Sequence, residues 1–128
     1  MRKSALYYLF FLFLCSCAAS QRTDLFFGMN IPGGGEVTNE EWKNFSDSVV
    51  APRFPDGYTE FVTAGKWLDT ETKRTISEST RVLTFVGKRG RAREVKLDTI
   101  VDTYIKRFRQ QAVLRMDSGV RFKMISAK

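Results

Sequence analysis

Hydrophobic and polar positions fall into six periodic segments behind an N-terminal apolar run. Leu25-Phe26-Phe27-Gly28-Met29-Asn30-Ile31 is largely apolar and ends at Pro32-Gly33-Gly34-Gly35, which predicts a buried strand. Trp42, Phe45 and Val49 recur at i, i+3 and i+7. They follow Thr38-Asn39-Glu40-Glu41, a capping box, so a helix is predicted that stops at Pro52. Arg53-Phe54-Pro55-Asp56-Gly57 is turn chemistry. Tyr58 to Ala64 alternates as a second strand that Gly65-Lys66-Trp67 continues, and the polar stretch Asp69 to Arg74 connects it to a third at Arg81 to Gly87. Lys88 to Arg93 predicts a basic loop. Leu97, Val101, Tyr104 or Ile105, and Phe108 mark a second amphipathic helix. Val113 to Met116 and Val120 to Ile125 form a last extended region, with Val120, Phe122 and Met124 facing one way and Arg121 and Lys123 the other.

Strand, helix, strand, strand, helix, strand is the split β-α-β pattern. The expected fold is therefore α+β and ferredoxin-like, βαββαβ, a four-stranded antiparallel sheet with two helices on one face. The opposite sheet face must then be wetted, covered or paired. A homodimer is the working expectation, since Phe, Trp and Tyr make up 13% of the chain.

The apolar run itself changes the picture of where the domain resides. Met1-Arg2-Lys3-Ser4 is a cationic lead, and Ala5 to Leu14 is continuously apolar. That is shorter than the about 20 residues a membrane-spanning helix needs, and it suits an export signal. Leu14-Cys15-Ser16-Cys17 resembles the lipobox of bacterial lipoproteins, with Cys15 a mild departure in the middle of the box. The division that follows is residues 1–16 as lipoprotein signal peptide, 17–23 as lipidated Cys17 and tether, and 24–126 as the domain. A plain secretory signal cut near Ala18-Ala19-Ser20, or an uncleaved anchor, is the alternative. Ala18 rather than Asp after Cys17 implies the outer membrane facing the periplasm of a bacterial envelope, with palmitate among the acyl chains.

Composition narrows the chemistry. The 128 residues carry a net charge of +7. Loss of residues 1–16 removes Arg2 and Lys3 and no acid, leaving +5. There is no histidine, so the usual general base and the commonest metal ligand are missing. Cys15 and Cys17 are the only cysteines, so cleavage before Cys17 leaves no internal disulfide and no Cys-based zinc site. No metal and no cofactor are expected. The three glycines after Pro32 lack the Lys-Ser/Thr and the spacing of a nucleotide cradle, and read as a flexible loop.

Several segments together resemble the bacterial family of domain of unknown function 3574. They are Asp24-Leu25-Phe26-Phe27-Gly28, Pro52-Arg53-Phe54-Pro55-Asp56-Gly57, Gly65-Lys66-Trp67, Ser77-Glu78-Ser79 and Val113-Leu114-Arg115-Met116-Asp117-Ser118, spanning residues 24–125. The resemblance implies a short secreted or lipid-anchored protein with a ferredoxin-like domain. It brings no substrate or mechanism, and fold alone supplies none.

Candidate sites carry two readings each. Arg53 and Asp56, with Arg115 and Asp117 nearby, form either a polar site that orients an anion or a salt bridge and turn at a helix-to-strand junction. Trp67 and Glu78, on facing hairpin arms, are either a ligand wall with an acid or a core edge and an ion pair with a nearby Lys or Arg. The loop containing Lys88, Arg89, Arg91 and Arg93 lacks the aromatic platforms of a nucleic-acid site, so no nucleic acid is expected. It suits anionic lipid or glycan, or plain solvent. The first functional reading is a non-enzymatic envelope lipoprotein, a small binding or interaction module that contacts the membrane through its anchor. The second is a small cofactor-independent enzyme of the dimeric α/β-barrel type, an oxygenase or isomerase, with Tyr58, Trp67, Arg115 and Asp117 in its cavity.

Overall fold

The computed structural model describes residues 19–127, so the signal segment and Cys17 lie outside the described residues. Four strands, β1 (Ser20–Gly28), β2 (Thr59–Leu68), β3 (Thr75–Lys88) and β4 (Leu114–Gly119), form one antiparallel sheet in the order β2-β3-β1-β4. Helices α1 (Asn39–Phe45) and α2 (Arg91–Phe108) pack on one face. The ferredoxin-like arrangement expected from element order is the one observed.

Alternation along β1 decides which face is which. Gln21, Thr23, Leu25 and Phe27 are buried towards the helices, while Arg22, Asp24, Phe26 and Gly28 point to the other side. Leu25 lies opposite Leu83, and Thr23 opposite Phe85. Trp42 and Phe45 of α1 and Leu97, Ile100, Tyr104 and Phe108 of α2 close over them. Phe27 and Tyr104 meet edge to face with centroids 4.8 Å apart, and Phe45 and Tyr104 at 5.2 Å.

The helices begin and end for local reasons. The Thr38 hydroxyl accepts from the Glu41 amide at 3.2 Å, and the Glu41 carboxylate accepts from the Thr38 amide at 2.8 Å, completing the expected capping box. After Phe45 the chain widens into a turn over Ser46–Val50 in which the Ala51 amide bonds to the Ser46 carbonyl at 2.9 Å. Val49 and Val50 are both buried in that turn. Gly33, Gly34 and Gly35 all adopt positive φ, between 88° and 123°, in the tight loop that returns the chain so that Val37 donates to the Met29 carbonyl.

Several boundaries differ from expectation. β1 begins at Ser20, so residues 20–23, assigned to the tether, are sheet residues. Their polarity hid them: Gln21 and Thr23 are buried by hydrogen bonding and packing rather than by apolar character. β3 starts at Thr75, well before Arg81, and β4 ends at Gly119. Residues 121–127 form no strand and are exposed, because no neighbouring strand lies alongside them. Lys88 closes β3 and Arg91 opens α2, leaving only Arg89 and Gly90 between them.

Candidate functional site

Arg93 corrects the picture of a basic loop. It sits in the first turn of α2, only 8% exposed. Its guanidinium donates to the Thr23 hydroxyl at 3.0 Å and to the Phe85 carbonyl at 3.2 Å. Thr23 passes the contact on, donating to Asp117 Oδ1 at 2.6 Å. Arg115 then pairs with Asp117 at 2.8 Å and with Glu94 at 2.7 Å, and Asp98 stands 3.8 Å away. Burial lowers the Arg93 guanidinium somewhat from its ordinary value, yet so strong a base stays charged. With Arg93 and Arg115 both engaged, the cluster stitches α2 to β1 and to the edge strand β4. Its charges are paired within the fold, the arrangement of a structural clamp.

Arg53 and Asp56 are not part of it. Arg53 donates to the Val49 carbonyl at 2.7 Å, capping the turn, and the Gly57 amide bonds back to the Phe54 carbonyl. Asp56 is exposed, and no Arg53–Asp56 ion pair occurs among the described residues. Tyr58 is half-buried, its hydroxyl 2.6 Å from Ser46 Oγ and its ring 5.7 Å from that of Phe85. The four residues considered for an enzyme, Tyr58, Trp67, Arg115 and Asp117, therefore do not converge. Tyr58 lies beside α1, Arg115 and Asp117 beside the start of α2, and Trp67 on the distal part of the β2–β3 hairpin.

Trp67 and Glu78 do come together. Gly65 stands opposite Glu78 in the ladder, so Trp67, two residues on, shares its sheet face and sits diagonally from it. Both line a half-open hollow of about 390 Å³ with Gly28, Asn30, Pro32, Gln110 and Gln111. Glu78 Oε1 accepts from the Asn30 amide at 3.0 Å rather than from a Lys or Arg. Its second oxygen has no hydrogen-bond partner among the described residues. Gln110 donates to the Asn30 carbonyl at 2.8 Å, fixing the opposite wall. A methyl group on Gly28 would lie 2.6 Å from Glu78 Oε1, so the bare glycine is what lets the carboxylate lie across the strand. Beneath it the Tyr104 hydroxyl donates to the Gly28 carbonyl at 2.7 Å, and burial pushes that phenol well above its ordinary value. A held carboxylate, a half-exposed indole and side-chain amides make a polar recess open to a small ligand.

One other hollow is taken up by its own walls. Between α1 and β2, Arg81 donates to Glu60 at 2.8 Å and to Asn39 at 2.6 Å. The Trp42 indole also donates to Glu60, at 3.0 Å. This knot of Asn39, Trp42, Glu60 and Arg81 had no sequence signal, because its partners lie 18 to 42 residues apart. Arg81 Nε is buried without a partner among the described residues. No group of three or more Asp, Glu, His or Cys side chains converges as a metal set among the described residues.

The sheet face away from the helices is open. Phe61, Trp67, Val86, Leu114 and Met116 on it are each about half exposed, from 47% to 58%. Single exposed apolar residues are ordinary, and these five are spread over the face from one edge strand to the other. No described helix is long and apolar enough to cross a membrane.

Comparison with known proteins gives one family and a fold. The family model described as protein of unknown function (DUF3574) matches residues 22–124. No curated protein matches the chain. Among solved structures, a phage SAM lyase in complex with S-methyl-5'-thioadenosine is similar at a TM-score of 0.57 and 12% identity, over 80% of this chain and 82% of that one. The phage SAM lyase in its apo state is similar at 0.56 and 13%, over the same shares. Such identities speak for fold alone.

Proposed function

The chain belongs to the DUF3574 family, and from its lipobox-like Leu14–Cys17 segment and the Trp67–Glu78 hollow we propose an envelope lipoprotein that works as a small binding module, with that hollow as its ligand site. The observation that carries the reading is the convergence of Glu78, Trp67 and Gln110 on one hollow, where Glu78 has no cationic partner among the described residues, while the carboxylates at Arg81 and Arg115 are internally paired. Lipidation at Cys17 holds the domain at the bacterial membrane, on the outer membrane facing the periplasm. More than one acyl chain is needed for stable anchoring. A Cys17→Ala protein is expected to lose palmitate labelling and to leave the membrane fraction; retention of either discards the anchor. Capture of envelope proteins or glycans by the anchored protein, lost in Glu78→Gln and Trp67→Ala, tests the site. Equal capture by both variants removes the hollow from the reading. A homodimer belongs to the same proposal, and sedimentation at micromolar concentration decides it.

A second reading, a small enzyme without a cofactor, draws on one observation. The two similar structures are of a lyase, one of them holding S-methyl-5'-thioadenosine. In this reading lyase chemistry replaces the oxygenase or isomerase expected above, and Glu78 is the acid–base group. Incubation with SAM and chromatography for S-methyl-5'-thioadenosine tests it: product that disappears in Glu78→Gln supports an enzyme, and no product removes it.

A further inference from the structure

The two ends of the sheet differ in character. At the end where the chain enters, Ser20 pairs with Lys88, the Arg89 amide bonds to the Ala19 carbonyl at 3.0 Å, and the Val120 amide bonds to the Ser20 carbonyl at 3.1 Å. Three segments thus meet there: the incoming chain, the β3–α2 connection and the outgoing tail. Because β4 runs antiparallel to β1, the tail leaves the sheet on the side from which β1 arrives. Lys88, Arg89 and Arg91 are exposed, as are Arg121 and Lys123 on the tail. The acids at the neighbouring clamp, Glu94 and Asp117, are already paired with Arg115, and Asp24 is paired with Arg22. Asp56 is the acid left near Lys88. Between Arg121 and Lys123 stands Phe122, 52% exposed, and Met124 beyond them is 84% exposed. Phe122 thus keeps about half of its surface open, and Met124 most of it.

We propose that this end is a second membrane contact, in which Lys88, Arg89, Arg91, Arg121 and Lys123 engage anionic lipid headgroups and Phe122 enters the interface. The proposal rests on the lipoprotein reading for its geometry. Cys17 precedes Ala19 by two residues, a reach of about 7 Å. The Debye length under physiological salt is about 8 Å. An acyl chain on Cys17 therefore keeps the end of the sheet where Arg89 meets Ala19 close to the headgroups. Basic residues interleaved with an aromatic match the chemistry of an anionic interface, where rings sit at headgroup level. The contact also gives the molecule a direction. Eight residue steps separate Ser20 from Gly28 along β1, about 26 Å, so the Trp67–Glu78 hollow opens at the far end, away from the bilayer.

The full-length protein, isolated from membranes and reconstituted, carries the test in a Phe122→Trp variant. Bromine-labelled phosphatidylglycerol is expected to quench the new indole. Trp67 is expected to remain open to aqueous iodide, and the quench is expected to fall at least tenfold on neutral phosphatidylcholine. Lys88→Glu, Arg89→Glu and Arg91→Glu together are expected to abolish it. Residue 122 as open to iodide as Trp67 on phosphatidylglycerol overturns the proposal, as does equal quenching on both lipids or in the charge-reversed protein. Binding of inorganic polyphosphate without quenching by phosphatidylglycerol assigns the patch to a soluble polymer and also overturns it. The mass at Cys17, read on the same sample, separates the two readings. An acylated protein without quenching keeps the anchor and loses the contact, and an unacylated protein that is quenched does the reverse.

Discussion

Burial alone would raise the Asp117 carboxyl, but the Thr23 hydroxyl, the Arg115 guanidinium and the charge of Arg93 outweigh it and hold it below the usual carboxylate range. A carboxylate with a depressed folded pKa contributes stability that is complete above its unfolded value, about 3.9, and is lost as pH falls through the folded one. The melting temperature should therefore drop as pH falls below about 4, and drop less steeply in Asp117→Asn; calorimetry in half-unit steps reads the two slopes. Gly28→Ala makes a sharper prediction. Its methyl group displaces the end of the Glu78 side chain, which is flexible, so ligand capture should fall to the level of Glu78→Gln while urea unfolding changes by less than about 1 kcal/mol. The meeting of Glu78 with Trp67 was legible in the sequence, which put them on facing arms of a hairpin. The hydrogen-bond partner of Glu78 was not, because an amide of Asn30, 48 residues away, carries no side-chain signature. Arg93 misled for the opposite reason: in a run of cations it looks like its neighbours, yet a hydroxyl, a carbonyl and the start of a helix absorb it.

Elements with strong periodicity were legible. Trp42, Phe45 and Val49, and Leu97, Tyr104 and Phe108, all lie in the core where the spacing put them. What spacing did not encode is the wide turn at Ser46–Val50, since an added residue in a turn leaves the composition unchanged. The start of β1 was equally opaque, because Gln21 and Thr23 are polar residues buried by their partners. Phe45 meets four rings, those of Phe27, Trp42, Tyr104 and Phe108. Phe45→Ala should cost about 3–5 kcal/mol by urea unfolding. The distal part of the β2–β3 hairpin, by contrast, is exposed along both faces of β2. Amide exchange around Leu68 and Thr75 should be fast, while Leu25 and Leu83 exchange only with global unfolding.

At the scale of the molecule, a strand of nine residues has different chemistry at its two ends, a cationic rim at Ser20 and a recess at Gly28. The ferredoxin-like outline was legible because six alternating segments admit few topologies, whereas the two ends became visible only once strand direction was known. The strand order has one more consequence, and it concerns time. β1 is made first but lies inside the sheet, between β3 and β4. Its Thr23 waits for Asp117, 94 positions later, before its hydrogen bonds are complete. A chain emerging amino end first therefore cannot close this sheet until almost all of it has been delivered. It is expected to lack its complete sheet for most of its synthesis. A fragment ending at residue 113 should accordingly remain protease-sensitive, and the last fifteen residues decide when the protein becomes a solid body.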